Sequence, residues 1–324
     1  MKLSHKQVAV PSLMPKGIMW NDQIIEFPNV QDMHDTVHPH TDWSSTGERS
    51  GDWLSIDGYD PHNRREELPK YVRKGYGADE VLLHNFGAPA ALQLGRVEPS
   101  MAGGTVNVPL YLSGDPQCMM APVIQDKPVD SLSITVPGIY SANISGRQMK
   151  LRAAAIAGYL PKLIDHGISV HLYSYIALKP SGYDYGTSGN ERMHFAITKV
   201  FSTDHAYDPA EVFLGCGSPV FGRYLAFAEV NWICNQMSEP RHINFENYGY
   251  PFSIGGGSRL KKGAYKEINL LRERVEMIMP TTHVIHMPDS GNCYDPDGYG
   301  IQWHYDFVSS HIEKYLGEQG MFFE

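Results

Sequence analysis

Hydrophobic and polar positions in the second half of the chain follow two alternating rhythms. Short runs rich in β-branched and aromatic residues, LSITV at 132–136, ISVHLYSYIAL at 168–178, MHFAITKVF at 193–201 and THVIHM at 282–287, predict strands. Between them, apolar residues recur at helical spacing. The segment 148–165 sets Leu151, Ala154, Ala155, Gly158, Tyr159 and Leu163 on one helical face, ends at Gly167 in a position that suits a C′ residue, and should kink at Pro161. Asp208 as N-cap, Pro209 at the first turn and Glu211 behind it open another helix, which Pro219 should split. Further helices are expected over 264–279 and 301–316. Strand and helix in alternation imply a mainly parallel, Rossmann-like α/β sheet with helices on both faces.

Before residue 129 this grammar is missing. Turn-rich pieces alternate with two helix-like stretches, 64–74, interrupted by Pro69, and 77–86 with Asp79 and Glu80 at its start. The chain therefore divides into an irregular α+β N-terminal region, 1–128, and an α/β domain, 129–324. A hydrophobic content of 42% is compatible with a sizeable core, and a formal net charge of -9 argues against a dominant nucleic-acid footprint. Cys118, Cys216, Cys234 and Cys293 form no CxxC pair, so neither a zinc ribbon nor a disulfide framework is indicated. No signal-type apolar run opens the sequence and none approaches the length of a membrane span, so a soluble intracellular protein is expected.

The residues with chemistry to offer gather at expected strand ends, where open α/β sheets hold ligands. TTHVIHMPDSG, 281–291, delivers Asp289 into a glycine-ended loop. SLSITVPGIYSANIS, 131–145, leads a strand into a hydroxyl-rich loop without a carboxylate. The long connection 239–263 ends in Gly255, Gly256, Gly257 and Ser258. Elsewhere, His34, Asp35, His38 and His40 are metal-capable, His34 and His38 sharing a face if helical. Asp289, Asp295, Asp297 and His304 form an acidic group, although Asp-Pro-Asp-Gly is also a turn signal. Cys216 and Ser218 in GCGSPVFG do not meet a nucleophile-elbow pattern, and Trp43, Trp53 and Tyr59 read as a small core or a stacking surface.

NVPLYLSGDPQCM at 107–119, followed by a strand, a long helix and a strand, resembles an uncharacterised family common in bacteriophage genomes. From 131 to 316 the chain also resembles a degenerate von Willebrand factor A domain, of the type found in cobalt-chelatase-like partners of AAA+ ATPases. That resemblance implies a cation site built from an Asp-x-Ser-x-Ser loop, a second-loop hydroxyl and a later Asp. Here Pro137, Gly138, Ile139, Tyr140 and Ser141 occupy the first loop, so its leading Asp is missing; Ser141, Ser258 and Asp289 are what remain. With one carboxylate lost, no cofactor is expected and Mg²⁺ should bind weakly at most. The resemblance implies a phage-encoded, non-enzymatic interaction or adaptor protein in the host cytoplasm, with an AAA+ ATPase as partner and Tyr140, Ser141, Ser258, Asp289 and Tyr294 as its contact residues. Two alternatives stay open: a metal-assisted enzyme using His34, His38 and His40 or the Asp289 loop, and a virion structural component.

Overall fold

The computed structural model describes residues 6–9, 23–40, 72, 97–101, 105–122, 131–140, 144–179, 194–205, 207–226, 228–229, 232, 250–251, 253–255, 264–288 and 300–319. In chain order its elements are β1 (Lys6–Ala9), β2 (Gln23–Phe27), α1 (Val30–Val37), a 3-10 turn at His38–His40, β3 (Val97–Ser100), β4 (Thr105–Val106), α2 (Val108–Leu112), β5 (Met119–Pro122), β6 (Ser131–Pro137), α3 (Gly146–Asp165), β7 (Ser169–Lys179), β8 (His194–Ser202), α4 (Pro209–Gly215), a π-helical turn at Phe221–Leu225, β9 (Tyr250–Pro251), α5 (Ala264–Ile278), β10 (His283–His286) and α6 (Ile301–Glu318).

The main sheet has the order β1-β2-β8-β7-β6-β10, with β9 paired to the far end of β7. From β2 to β10, three of the four pairings are parallel and β7–β8 is antiparallel. The fold is α/β, with a mixed, mostly parallel central sheet. The reversal at β8 has a local cause: 180–193 is rich in Gly, Ser and Tyr and lacks the apolar periodicity of a crossover helix, which a parallel return would need. A second correction concerns the N-terminal region. The sequence places the sheet wholly after 128, yet β2 pairs in parallel with β8, and β1 adds to β2 antiparallel. QIIEF is only five residues long, too short for its period to stand out, although Ile24, Ile25 and Phe27 are all buried. The expected helices at 64–74 and 77–86 lie outside the described residues, apart from Val72, which packs on the core.

Strand alternation sorts the core into two faces. Leu132, Ile134 and Val136 of β6, with Val170, Leu172 and Ile176 of β7, join the cluster that includes residues of α1, α3, α4 and α6. Tyr173, Tyr175 and Ala177, with Phe195 and Ile197, meet Ile268, Leu271 and Val275 of α5 on the other face. Helices therefore cover both sides.

α3 is buried on nearly every side because its LRAAAIAGYL run is small enough to sit between the sheet, α4 and α6. Ser145 caps it, its side chain accepting from the Gln148 amide at 3.2 Å, and Gly167 at φ 79 follows its C-terminus. Pro161 has no amide hydrogen to give the carbonyl of Ala157, four residues earlier. The buried Tyr207 hydroxyl donates to that carbonyl instead. Separately, β3, β5 and β4 make a three-stranded antiparallel sheet that carries α2, no residue of which is buried.

Candidate functional site at the carboxyl ends of β6 and β10

β6 has β7 on one side and β10 on the other, all three parallel, so the chain leaves β6 at a point where the strand order reverses. At that edge Gly138 donates its amide to Tyr175 O at 2.8 Å, and Met287 donates to Thr135 O at 2.8 Å. The 253–255 turn is clamped beside them from three directions. The Tyr175 hydroxyl, from β7, bonds Ser253 Oγ at 2.9 Å and accepts from Ile254 N at 3.2 Å; Ser253 Oγ donates to Met287 O at 3.4 Å; Arg272, from α5, donates through Nε to Ile254 O at 3.0 Å. Gly255 lies so near β10 that a Cβ there would run into the carbonyl oxygens of His286 and Met287. The root of the glycine-rich loop is thus fixed against the strand that leads to Asp289.

The first loop is braced from the other side. Gly222 approaches the Gly138 carbonyl closely, Gly217, at φ 127, lies against the Tyr140 ring, and Arg223 donates to Ile144 O. Burial pulls the Arg223 guanidinium down to about 10, still charged at neutral pH. Arg152, also buried, donates to Pro288 O at 3.2 Å, with its guanidinium 4.0 Å from the centre of the Phe307 ring. GCGSPVFGR, 215–223, is therefore a brace. Burial pushes the Cys216 thiol well above its usual range, which leaves it unreactive.

Behind this edge runs a hydroxyl, imidazole and carboxylate chain: Thr135 Oγ1 to His286 Nδ1 at 2.8 Å, and His286 Nε2 to Glu276 Oε1 at 3.1 Å. Burial, aided by Arg272, pulls His286 down to about 3, so the imidazole is neutral and its contact with Glu276 is a hydrogen bond rather than an ion pair. The neutral ring accepts from Thr135 and donates to Glu276. Thr135 is fully buried on β6, so this chain ties β6, β10 and α5 together and presents no nucleophile. At the seam between α3 and α6, His304 Nε2 donates to Gln148 Oε1 at 2.5 Å, and burial plus Arg152 lower it to about 4.

Of the residues singled out in the sequence, Tyr140 is 7% exposed and packs with Ile144 and Met149, so its ring serves the interior more than a contact surface. Ser141, Ser258, Asp289, Tyr294, Asp295 and Asp297 lie outside the described residues, as do Trp43, Trp53 and Tyr59. The stems that carry Ser141, Ser258 and Asp289 do meet. His304 is buried between helices. His34 is on α1 and His38 is its C-cap, with ring centroids 4.8 Å apart, and His34 Nδ1 bonds Asp35 at 2.9 Å; His38 opens the 3-10 turn whose backbone includes His40. Among the described residues no three His, Cys, Asp or Glu side chains converge as a metal site. Arg152, Arg223 and His286 escaped the sequence reading. A lone Arg inside the small-residue face of α3 was the available signal for the first.

The model of a family described as Domain of unknown function (DUF7192) matches residues 14–273. The chain belongs to this family. No curated protein and no solved structure matches it. The DUF7192 match takes in β2 and β6–β9 but stops within α5, so β10 and α6, which complete the edge just described, lie beyond it. None of the described helices is long and apolar enough to cross a membrane.

Proposed function

We propose that this DUF7192 protein is a phage-encoded, non-enzymatic interaction or adaptor protein of the host cytoplasm, built on a degenerate von Willebrand factor A-like module, with an AAA+ ATPase as its partner. The observation that carries the reading is the convergence of three loop stems, after Pro137, at Ser253–Gly255 and after Met287, on one edge of the sheet. The pairing of β6 in parallel with β7 on one side and β10 on the other supports the same reading, since loops that leave strands at such a switch point are where α/β sheets make their contacts. Ser141, Ser258, Asp289 and Tyr294 are the contact residues, and Tyr140 supports them from inside. With Pro137 and Gly138 where a carboxylate would begin the first loop, divalent cations bind weakly at most.

Affinity purification of the tagged chain from infected cells, with mass spectrometry, tests the partner. An AAA+ ATPase recovered with the wild type and lost with Asp289→Ala or Tyr294→Ala is the expected result. Recovery only within purified virions overturns it. Calorimetry with Mg²⁺ and Mn²⁺ tests the cation: micromolar binding abolished by Asp289→Ala would instead make the edge a metal centre.

A further inference from the structure

The unit formed by β3, β4, β5 and α2 has an apolar surface that none of the described residues covers. Met101, Val106, Val108, Tyr111 and Leu112 fall within twelve residues, and their exposure runs from 44% at Val106 to 77% at Leu112. None of its described residues joins the buried clusters, and α2 buries no residue at all. Three short strands with a five-residue helix that buries none of its own residues are marginal alone in water. From Pro99 to Pro122 the only ionisable acid or base is Asp115, apart from the Tyr111 and Cys118 side chains, although charged residues make up 19% of the chain. Depletion of charge around a clustered aromatic and aliphatic surface is the mark of an interface core.

We infer that this face joins a second copy of the same chain, α2 packing against α2 across a two-fold axis. Two features favour self-association. The patch carries no positive charge and one negative charge, so it has little with which to select a partner by opposite sign. Its area also fits. At roughly 100 Å² exposed per side chain, the five residues of one copy present about 500 Å², and a symmetric pair buries about 1,000 Å², the lower limit for a specific interface. β3 carries Pro99 and so lacks one edge donor, which makes side-chain packing through α2 a better contact than strand addition. This inference stands on surface residues remote in sequence from the loop stems and does not depend on the adaptor reading.

The net charge of -9 sets the sign of the salt effect. Two such chains repel at long range, so screening should strengthen an apolar dimer. The test is sedimentation equilibrium of the full chain from about 1 to about 200 µM, at about 50 and about 500 mM NaCl. A dimer is expected that tightens with salt and weakens tenfold or more in Leu112→Asp and Met101→Asp, while Met277→Asp, on α5 and also exposed, changes it less than twofold. Because all three side chains face solvent, matching circular dichroism and thermal midpoints are expected for the variants. A monomer throughout the range, a dimer unmoved by Leu112→Asp, or one that salt weakens would each overturn the proposal.

Discussion

His286 and His304 are held neutral inside the fold, the first drawn down to about 3 and the second to about 4 from an ordinary 6.5, each chiefly by burial and then by a neighbouring Arg. Burial lowers His171 and His311 as well. A depressed folded value means the unfolded chain takes up protons first as pH falls. The stability these histidines contribute is therefore complete above about 6.5 and is lost from there down toward the folded values. The thermal midpoint should fall steadily between pH 7 and pH 4, and a His304→Gln variant should show a shallower fall than the wild type. An equally steep fall in the variant would assign the acid limit to other groups. Gly255 makes a second local claim. A methyl group there must displace the His286 and Met287 carbonyls, so Gly255→Ala should cost about 1–3 kcal/mol in urea unfolding. An unchanged midpoint would mean that the loop root is not clamped to β10.

The long helix α3 depends on a substitute hydrogen bond. Pro161 deprives the Ala157 carbonyl of its helical donor, and Tyr207, arriving from the segment ahead of α4, supplies one. Tyr207→Phe should therefore cost about 1–3 kcal/mol. In a Pro161→Ala background, where the helix amide returns, the same change should cost about 1 kcal/mol less. Equal costs in both backgrounds would show that the hydroxyl does not act through that carbonyl. Sequence pattern located α3 to within two residues at its start, together with β6–β8, α5, β10 and α6, because each is long or strongly periodic or carries a clear cap. Pro161 was legible as a disruption, but the donor that offsets it is 46 residues further on and leaves no local trace. The same holds for the edge site. The strand ends that form it could be read along the chain, whereas the contacts of Arg152, Arg223 and Arg272 that brace it join distant segments, and β2 was too short to recognise as part of the sheet.

Across the assembled sheet, β10 and α6 lie beyond the family match, yet β10 closes the edge beside β6 and α6 packs on α3. A chain cut after Pro280 would leave β6, with Leu132, Ile134 and Val136 buried in the native sheet, as an unprotected edge, and would uncover the side of α3 that meets α6. Such a chain should be recovered as aggregate, and a soluble monomer with native-like circular dichroism would show that the last two elements are dispensable. The position of β10 also bears on how the molecule is made. Thr135 and His286, hydrogen-bonded neighbours, are 151 residues apart in sequence. At ribosomal rates of roughly 5–20 residues per second, β6 is synthesised about 8–30 s before the strand that shields its open side. Through that interval the growing chain exposes one backbone edge of β6, so the yield of native protein should depend on chaperones and on the speed of translation downstream of β6 far more than the stability of the finished fold would suggest.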